Sequence, residues 1–400
     1  MTWTRRGFLV ALLILSSTVA RAMPSGSLSL AYDPANNIGD VVWNSSGFFG
    51  GNALFLNTDN SGVYGTTNTG AHQWLGSVTS TIVSQVSGPS LRVFDFNSLT
   101  ANGSMTLEGS MAAAIVVNGN LTVSGVISVK TARGLSGAGS AAAPGAMGGQ
   151  GGDWPGFHID PPCCGYSSGS GGGGGGNATQ GARGLPGYTS PLGGQNGIGG
   201  VGGGANPDAT VLRGGGGGGG GAAYASDCCN RFPGGVGGLG GGAALFVAGG
   251  NMLIGGPSNG AAGIHADGAT GGWVDTSQGA GGGGAGGMLM FNVAGNWINY
   301  GVVSAKGALG GWLAPGTPSD PSAGGAGAGG YVIVDPLSIQ NFGAIDVGGG
   351  NGNPMNGGIL IASGIVNKGE ILGLAQPVPE PATLTMMLIG ICCLVAHRRR

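Results

Sequence analysis

Residues 286–307 read GGMLMFNVAGNWINYGVVSAKG, and the fold turns on them. Two phrases are joined here. GGMLMFNVAGN begins at Gly286. Its counterpart GGAALFVAGGN begins 45 residues earlier, at Gly241, and GGYVIVDPLSI begins 43 residues later, at Gly329. The second phrase, NWINYGVVSAKG from Asn296, matches NLTVSGVISVK from Asn120, IQNFGAIDVGGG from Ile339 and IVNKGEILG from Ile365. Aligned on glycine, apolar residues alternate: Leu121, Val123, Ile127 and Val129 in one copy, Trp297, Val303 and Ala305 in another, Ile339, Ile345 and Val347 in a third. Alternation with period two marks strands with one buried face. A spacing that returns every ~44 residues marks units that bury their apolar faces only by stacking. The expected fold class is therefore all-β, a parallel β-solenoid or β-helix with glycine-rich arms. Asn299, Asn341 and Asn367 share one position of the phrase and would form a ladder at a corner. The glycine that follows each would supply φ > 0 there. The competing reading is a set of unrelated β-hairpins in a glycine-rich coil.

Composition supports thin layers over a thick core. The chain has 400 residues, of which 96 are glycine, about a quarter where ~7% is usual. Charged residues make up 8% against a usual ~25%. Glycine brings no side chain to a core and loses the most backbone entropy on folding. The formal net charge is −2. Six arginines lie at the ends, Arg5, Arg6 and Arg21 at one and Arg398, Arg399 and Arg400 at the other, which leaves eight basic residues against 16 acidic ones. These are dispersed, with no basic patch interleaved with aromatics, which argues against nucleic acid as a partner.

The first residues, MTWTRRGFLVALLILSSTVARA, have the three parts of a secretory signal. Arg5 and Arg6 form the charged region, Gly7 to Leu15 the apolar region, and Ala20 and Ala22 an A-x-A cleavage site, with a mature start at Met23. The apolar run is short for a membrane anchor, which needs about 20 residues. Thr4 to Leu9 also resembles the twin-arginine export motif, so both the general and the twin-arginine routes stay open.

Residues 134–242 differ from the repeat. From Gly181, GARGLPGYTSPLGGQNGIGGVGGG puts glycine at every third position except Ser190 and Asn196, a spacing that suits an extended helix of three residues per turn. Polyglycine-type helices bundled beside the solenoid and disordered arms are both open here. Residues 23–110 hold fewer glycine runs; SLRVFDFNSL and GSMTLEGSM read as strands, and the region suits a cap on the first repeat.

Cysteines come in vicinal pairs: Cys163-Cys164, Cys228-Cys229 and Cys392-Cys393. In an exported chain Cys163, Cys164, Cys228 and Cys229 are disulfide candidates. Zinc is the alternative, but the usual C-x₂-C spacing is absent; free or vicinal forms are a third. Gly165 to Gly169 matches G-x-S-x-G, and Gly148 to Asp153 matches the start of a calcium-binding nonapeptide, both by chance in so glycine-rich a chain. His72, His158 and His265 are dispersed. No catalytic residue, metal site or cofactor is expected.

The chain ends in PVPEPATLTMMLIGICCLVAHRRR, residues 377–400. Prolines keep the segment before the apolar run extended. Ala382 to Ala396 is apolar apart from two threonines and reads as one short C-terminal transmembrane helix. Arg398, Arg399 and Arg400 follow and would hold its end on the cytoplasmic side. Pro379-Glu380-Pro381, the apolar run and the arginine tail together resemble the PEP-CTERM sorting domain of Gram-negative bacteria. The resemblance implies passage through the export machinery and transient residence in the inner membrane. It further implies recognition by an exosortase-type membrane protease that removes the tail, and delivery to the cell surface or the exopolysaccharide matrix.

The expected organisation is a signal peptide at 1–22, a β-rich N-terminal region at 23–110, a glycine-rich repeat solenoid at 111–373 and the sorting signal at 374–400. The expected function is that of an exported structural protein of the surface or matrix, associated with exopolysaccharide, and not an enzyme. An adhesin binding a defined ligand is the first alternative. A β-helix carbohydrate-active enzyme is the second, and it would need acids and a basic residue gathered on one face.

Overall fold

The phrases that repeat in the sequence pair in the structure, each with its counterpart one repeat away. The computed structural model describes residues 33–43, 54–66, 72–85, 88–132, 170–186, 201–222 without 202, 206 and 207, 224–225, 231–232, 234–274 without 259, 279–312, 323–350 and four short strands between 359 and 375. Among these residues it is all-β, with a single turn of 3-10 helix at Pro34–Asn36.

The chain opens with Asp40–Trp43 (β1), Leu54–Asn57 (β2), Gly62–Thr66 (β3), His72–Ser77 (β4) and Thr81–Val83 (β5). Strands then come in threes. The first triplet is Leu91–Phe96 (β6), Ser98–Ala101 (β7) and Ser104–Gly109 (β8); the second is Ala112–Val117 (β9), Leu121–Val123 (β10) and Val126–Thr131 (β11). A two-residue antiparallel pair, Tyr224–Ala225 (β12) and Arg231–Phe232 (β13), lies in the excursion that follows. The third triplet is Ala243–Ala248 (β14), Met252–Ile254 (β15) and Gly263–His265 (β16). In the next two, the first two strands run together: Met288–Asn299 (β17) with Val302–Ser304 (β18), and Tyr331–Asn341 (β19) with Ala344–Asp346 (β20). Ile359–Ala362 (β21), Ile365–Asn367 (β22) and Glu370–Leu372 (β23) form the last, and Leu374–Ala375 (β24) starts another.

Each strand pairs in parallel with the same member of the neighbouring triplets, so three columns result. In the first column Phe94, Ile115, Phe246, Phe291 and Val334 are successive partners. In the second they are Leu99, Leu121, Met252, Trp297 and Ile339. In the third they are Met105, Ile127, Ile264, Val303 and Ile345. β17 and β19 join the first two columns into one sheet, with a register shift between Val293 and Asn296. The alternating residues of all three columns meet in one buried cluster. Phe246 stacks on Phe291 with ring centroids 5.5 Å apart, and Trp297 tilts against Phe291 at 5.9 Å. The other face of the first column is also buried, at Ala114, Leu245, Met290 and Ile333. In segment 208–213 Leu212 is buried, and its backbone exchanges two hydrogen bonds with the Gln85 side chain.

At the corner after the second column, the expected asparagine ladder is present where described. The Asn299 Nδ2 donates to Asn341 Oδ1 at 2.8 Å, and both residues are fully buried. Asn367 pairs with Asn341 in register. The glycine part of that expectation is corrected. Gly301 and Gly343 do not have positive φ. They are needed for closeness: a Cβ on Gly301 would fall on the carbonyl oxygen of Ala262, and one on Gly343 on that of Gly301.

After β8 the third column returns to the first through Ser110 and Met111 alone, but after β16 and β18 it runs out along one glycine segment and comes back along another. These segments are hydrogen-bonded into a bundle. Segment 279–287 is at its centre. Its amides donate in rotation to three neighbours: Gly279, Gly282 and Ala285 to segment 215–222; Gly281, Gly284 and Gly287 to 266–273; Gly283 and Gly286 to 323–330. Its carbonyls accept from three more: 234–242, 305–312 and 170–176. A donor direction that recurs every third residue is the geometry of an extended helix with three residues per turn. Only glycine and a few alanines fit, because a Cβ at Gly282 would fall on the carbonyl oxygen of Gly173 and one at Gly284 on that of Leu239. For these residues the bundle replaces the disordered alternative.

The two ends of the stack differ. At the N-terminal end β3, β4 and β5 pair antiparallel and cover the parallel strands. Arg92 fastens both covers, donating from Nε to the Thr58 carbonyl at 2.7 Å, from Nη2 to the Asp59 carbonyl at 2.9 Å, and from Nη1 to the Oγ atoms of Ser61 and Ser80 at 2.8 and 3.1 Å. No helix among the described residues is long and apolar enough to cross a membrane. The expected C-terminal transmembrane helix lies outside the described residues.

Candidate functional site

Polar chemistry gathers on the outward face of the third column. There inward and outward residues alternate, and the inward ones are the apolar set described above. Successive outward partners in register are Thr106, Ser128, His265, Ser304 and Asp346. Two residues further along each strand come Glu108 and Lys130, which are partners, then Asp267 and Lys306. Residues far apart in sequence are thus set side by side at the strand spacing of about 4.8 Å.

The centre of this face is a closed network. Ser304 is buried, and its hydroxyl donates to Asp267 Oδ2 at 2.8 Å. His265 Nδ1 lies 2.8 Å from the same Ser304 oxygen. A hydroxyl has one proton; since Asp267 takes it, the imidazole proton sits on Nδ1, and Nε2 is left as an acceptor. The other Asp267 oxygen accepts the Lys306 backbone N–H at 2.8 Å, and Lys306 Nζ lies 3.8 Å from Asp346 Oδ2. Burial holds His265 below the ordinary histidine value, Asp267 works against that shift, and Lys306 adds to it. The imidazole is therefore neutral near pH 7.

A serine, a histidine and an aspartate in contact invite a hydrolytic reading, but the order of contacts is not that of a nucleophile. An activated serine gives its proton to the histidine, and the histidine leans on the acid. Here the serine gives its proton to the acid. The arrangement fixes polar side chains on a flat face. Among the described residues no group of three or more His, Cys, Asp or Glu side chains could hold a metal ion.

Sequence reading missed this face. Its signal was available in the aligned phrases, where GIHADG from Gly263, VVSAKG from Val302 and AIDVGG from Ala344 place His265, Ser304 and Asp346 in one column. The third repeat escaped because residues 255–262 separate its second and third strands, where the other repeats have two residues. The residues singled out from sequence, Ala20, Ala22, Cys163, Cys164, Cys228, Cys229, Pro379, Glu380, Pro381, Arg398, Arg399 and Arg400, all lie outside the described residues, as do the G-x-S-x-G and nonapeptide matches.

No protein-family model, curated protein or solved structure matches this chain.

Proposed function

We propose that the chain is an exported structural protein of the cell surface or matrix, whose body is a parallel β-solenoid flanked by its glycine bundle. The observation that carries the structural role is the register. Every repeat adds one strand to each of three parallel columns, and the three columns share one apolar interior. Such a body is a spacer and a surface, extended by adding repeats. Apart from the polar face of the third column its surface carries little charge, as the 8% charged residues of the chain require, which suits contact with polysaccharide or with other copies. The address rests on sequence: Pro379-Glu380-Pro381, the apolar run and Arg398 to Arg400 would be read by an exosortase-type protease, after export through the signal that ends at Ala22.

The test is the mass and location of the native protein in the producing cell, with and without the tail-processing protease. A species beginning at Met23, cut near Pro379 to Pro381 and found outside the cell, is expected. Uncut protein resident in the inner membrane would overturn the sorting reading.

A carbohydrate-active enzyme gains one observation: Asp267, Asp346, His265 and Lys306 do lie together on one face. Incubation of the intact chain with soluble polysaccharides, followed by assay of new reducing or unsaturated ends, decides between this and the scaffold.

A further inference from the structure

The glycine bundle has a solvent face of its own. Segments 266–273 and 305–312 run outward side by side, and their hydrogen bonds keep step: Gly268 N donates to the Lys306 carbonyl, Gly271 N to that of Leu309 and Val274 N to that of Trp312. Within 305–312 the exposed residues are Lys306, Leu309 and Trp312. The neighbouring segment matches them with Asp267, Thr270 and Trp273, adding only Ala269. Residues three apart lie on one edge of a helix with three residues per turn. Trp273 and Trp312 therefore stand level on adjacent segments, two turns or about 19 Å beyond the Asp267–Lys306 level. Their exposures are 63% and 55%. Val236, 70% exposed, continues the row on a third segment, where its carbonyl accepts from Gly272 N.

Two exposed indoles at one level of a rigid, side-chain-poor bundle need an explanation, since single exposed apolar residues are ordinary but a contiguous patch marks a site. We propose that Trp273 and Trp312 form a stacking platform for the sugar rings of an uncharged polysaccharide. The choice of polymer rests on the reading of the chain as a matrix protein. The rest comes from the face. The negative π-face of an indole attracts the polarised C–H groups on one side of a pyranose ring. Among the described residues of these segments the charges are Asp267 and Lys306, both engaged in the network of the third column, so they offer a polyanion no unpaired cation. Among the described residues the patch comprises Trp273, Trp312, Val236 and Leu309, whereas a stable protein interface uses roughly 20–30 residues a side. It is the size of one or two sugars. The segments are held by backbone bonds on several sides, so binding need not order them first.

The intact chain, purified without added detergent, is run in native gels containing dextran, pullulan or hydroxyethylcellulose, with alginate as the charged control. The expected result is retardation by at least one neutral glucan and not by alginate alone. Trp273→Ala with Trp312→Ala should weaken that retardation about tenfold or more, taking each stacked ring at a factor of several, while Trp273→Phe with Trp312→Phe keeps part of it. Both exposed positions tolerate these changes without touching the core, and an unchanged urea midpoint checks this. Retardation unaffected by the alanine pair, retardation by alginate alone, or none by any glucan overturns the platform. Sedimentation velocity of the same variants adds an outcome: if the alanine pair dissolves an oligomer, the patch joins copies of the chain and the saccharide assignment falls. Matrix extraction from cells separates the two levels. Variant and native protein both outside the cell, with equal glucan binding, would sink the platform and leave the matrix reading standing. Glucan binding through the tryptophans by a protein that never leaves the inner membrane would do the reverse.

Discussion

Asn299 and Asn341 are fully buried in a column where earlier repeats hold Ala101, Val123 and Ile254. Apolar side chains evidently suffice at that position, so the asparagines matter to each other. Asn341→Ala leaves Asn299 Nδ2 with only a long bond, 3.3 Å, to the Ala344 carbonyl. An amide stranded in this way costs about 1–3 kcal/mol. Replacing both by valine removes the donor and acceptor of this bond together, while the Gly301 N–H that Asn299 Oδ1 accepts at 3.1 Å is stranded equally in the Asn299 single, so the double variant should lose less than the sum of the singles, by about 0.5–3 kcal/mol of coupling. Urea midpoints of the four proteins measure this, and additive losses would mean the ladder is not a unit. His265 offers a test in pH. Its folded value lies below its unfolded value of about 6.5. The stability it contributes is therefore complete above about pH 6.5 and is lost as pH falls through the folded value. Between pH 7 and 5 the native protein should lose urea resistance more steeply than His265→Gln; parallel profiles would place the titration elsewhere.

At the scale of elements, strands and glycine segments were unequally legible. The alternation of 297–305 named Trp297, Val303 and Ala305, which are buried, because a strand's side chains declare which face is inside; it did not show that Met288 to Phe291 are buried on both faces. A glycine run declares nothing. Period three was visible from Gly181, but the central segment 279–287 has no pattern to read, and its backbone bonds run to six different stretches of sequence. The one usable trace was indirect: Lys306, Leu309 and Trp312 are spaced by three because only one edge of an outer helix faces water. A bundle of this kind has little apolar area to bury. Each backbone bond contributes about 0.5–1.5 kcal/mol net, no more than the 1–2 kcal/mol needed to fix a residue's backbone. The segments hold because both ends continue into stacked strands: Gly287 leads into β17, and Ala266 out of β16. Close packing is then decisive. Gly284→Ala drives a Cβ onto the Leu239 carbonyl oxygen and should cost about 1–3 kcal/mol or more, as overpacking does. Gly260 is exposed with nothing near its missing Cβ, and Gly260→Ala should be neutral or stabilising by up to about 1 kcal/mol. Equal effects at the two sites, read from thermal midpoints, would show that conformational entropy and not packing keeps the glycines.

For the whole molecule, the sequence phrases aligned at Gly241, Gly286 and Gly329 coincide with the structural register, since Ala243, Met288 and Tyr331 are partners. The polar face was not legible, because single polar residues in separate repeats look alike until the columns are superposed. What the phrases could not show at all is how the stack ends. A parallel column leaves an open edge that can recruit another strand. At the N-terminal end antiparallel strands extend the first and third columns while β1 adds a parallel strand to the second, and Arg92, on the first complete triplet, ties the antiparallel strands down from β6 with four hydrogen bonds. Contacts in a stack run mainly between neighbours, so damage at one end stays local. Arg92→Ala should therefore raise amide exchange in β3, β4 and β5 by about tenfold or more, the equivalent of roughly 1.4 kcal/mol, while β14, β17 and β19 keep their protection. Freed edges should also make the variant self-associate with rising concentration, which light scattering would follow. Uniform loss of protection through all three columns would mean instead that the stack unfolds as one unit, and that Arg92 secures the entire body rather than its end.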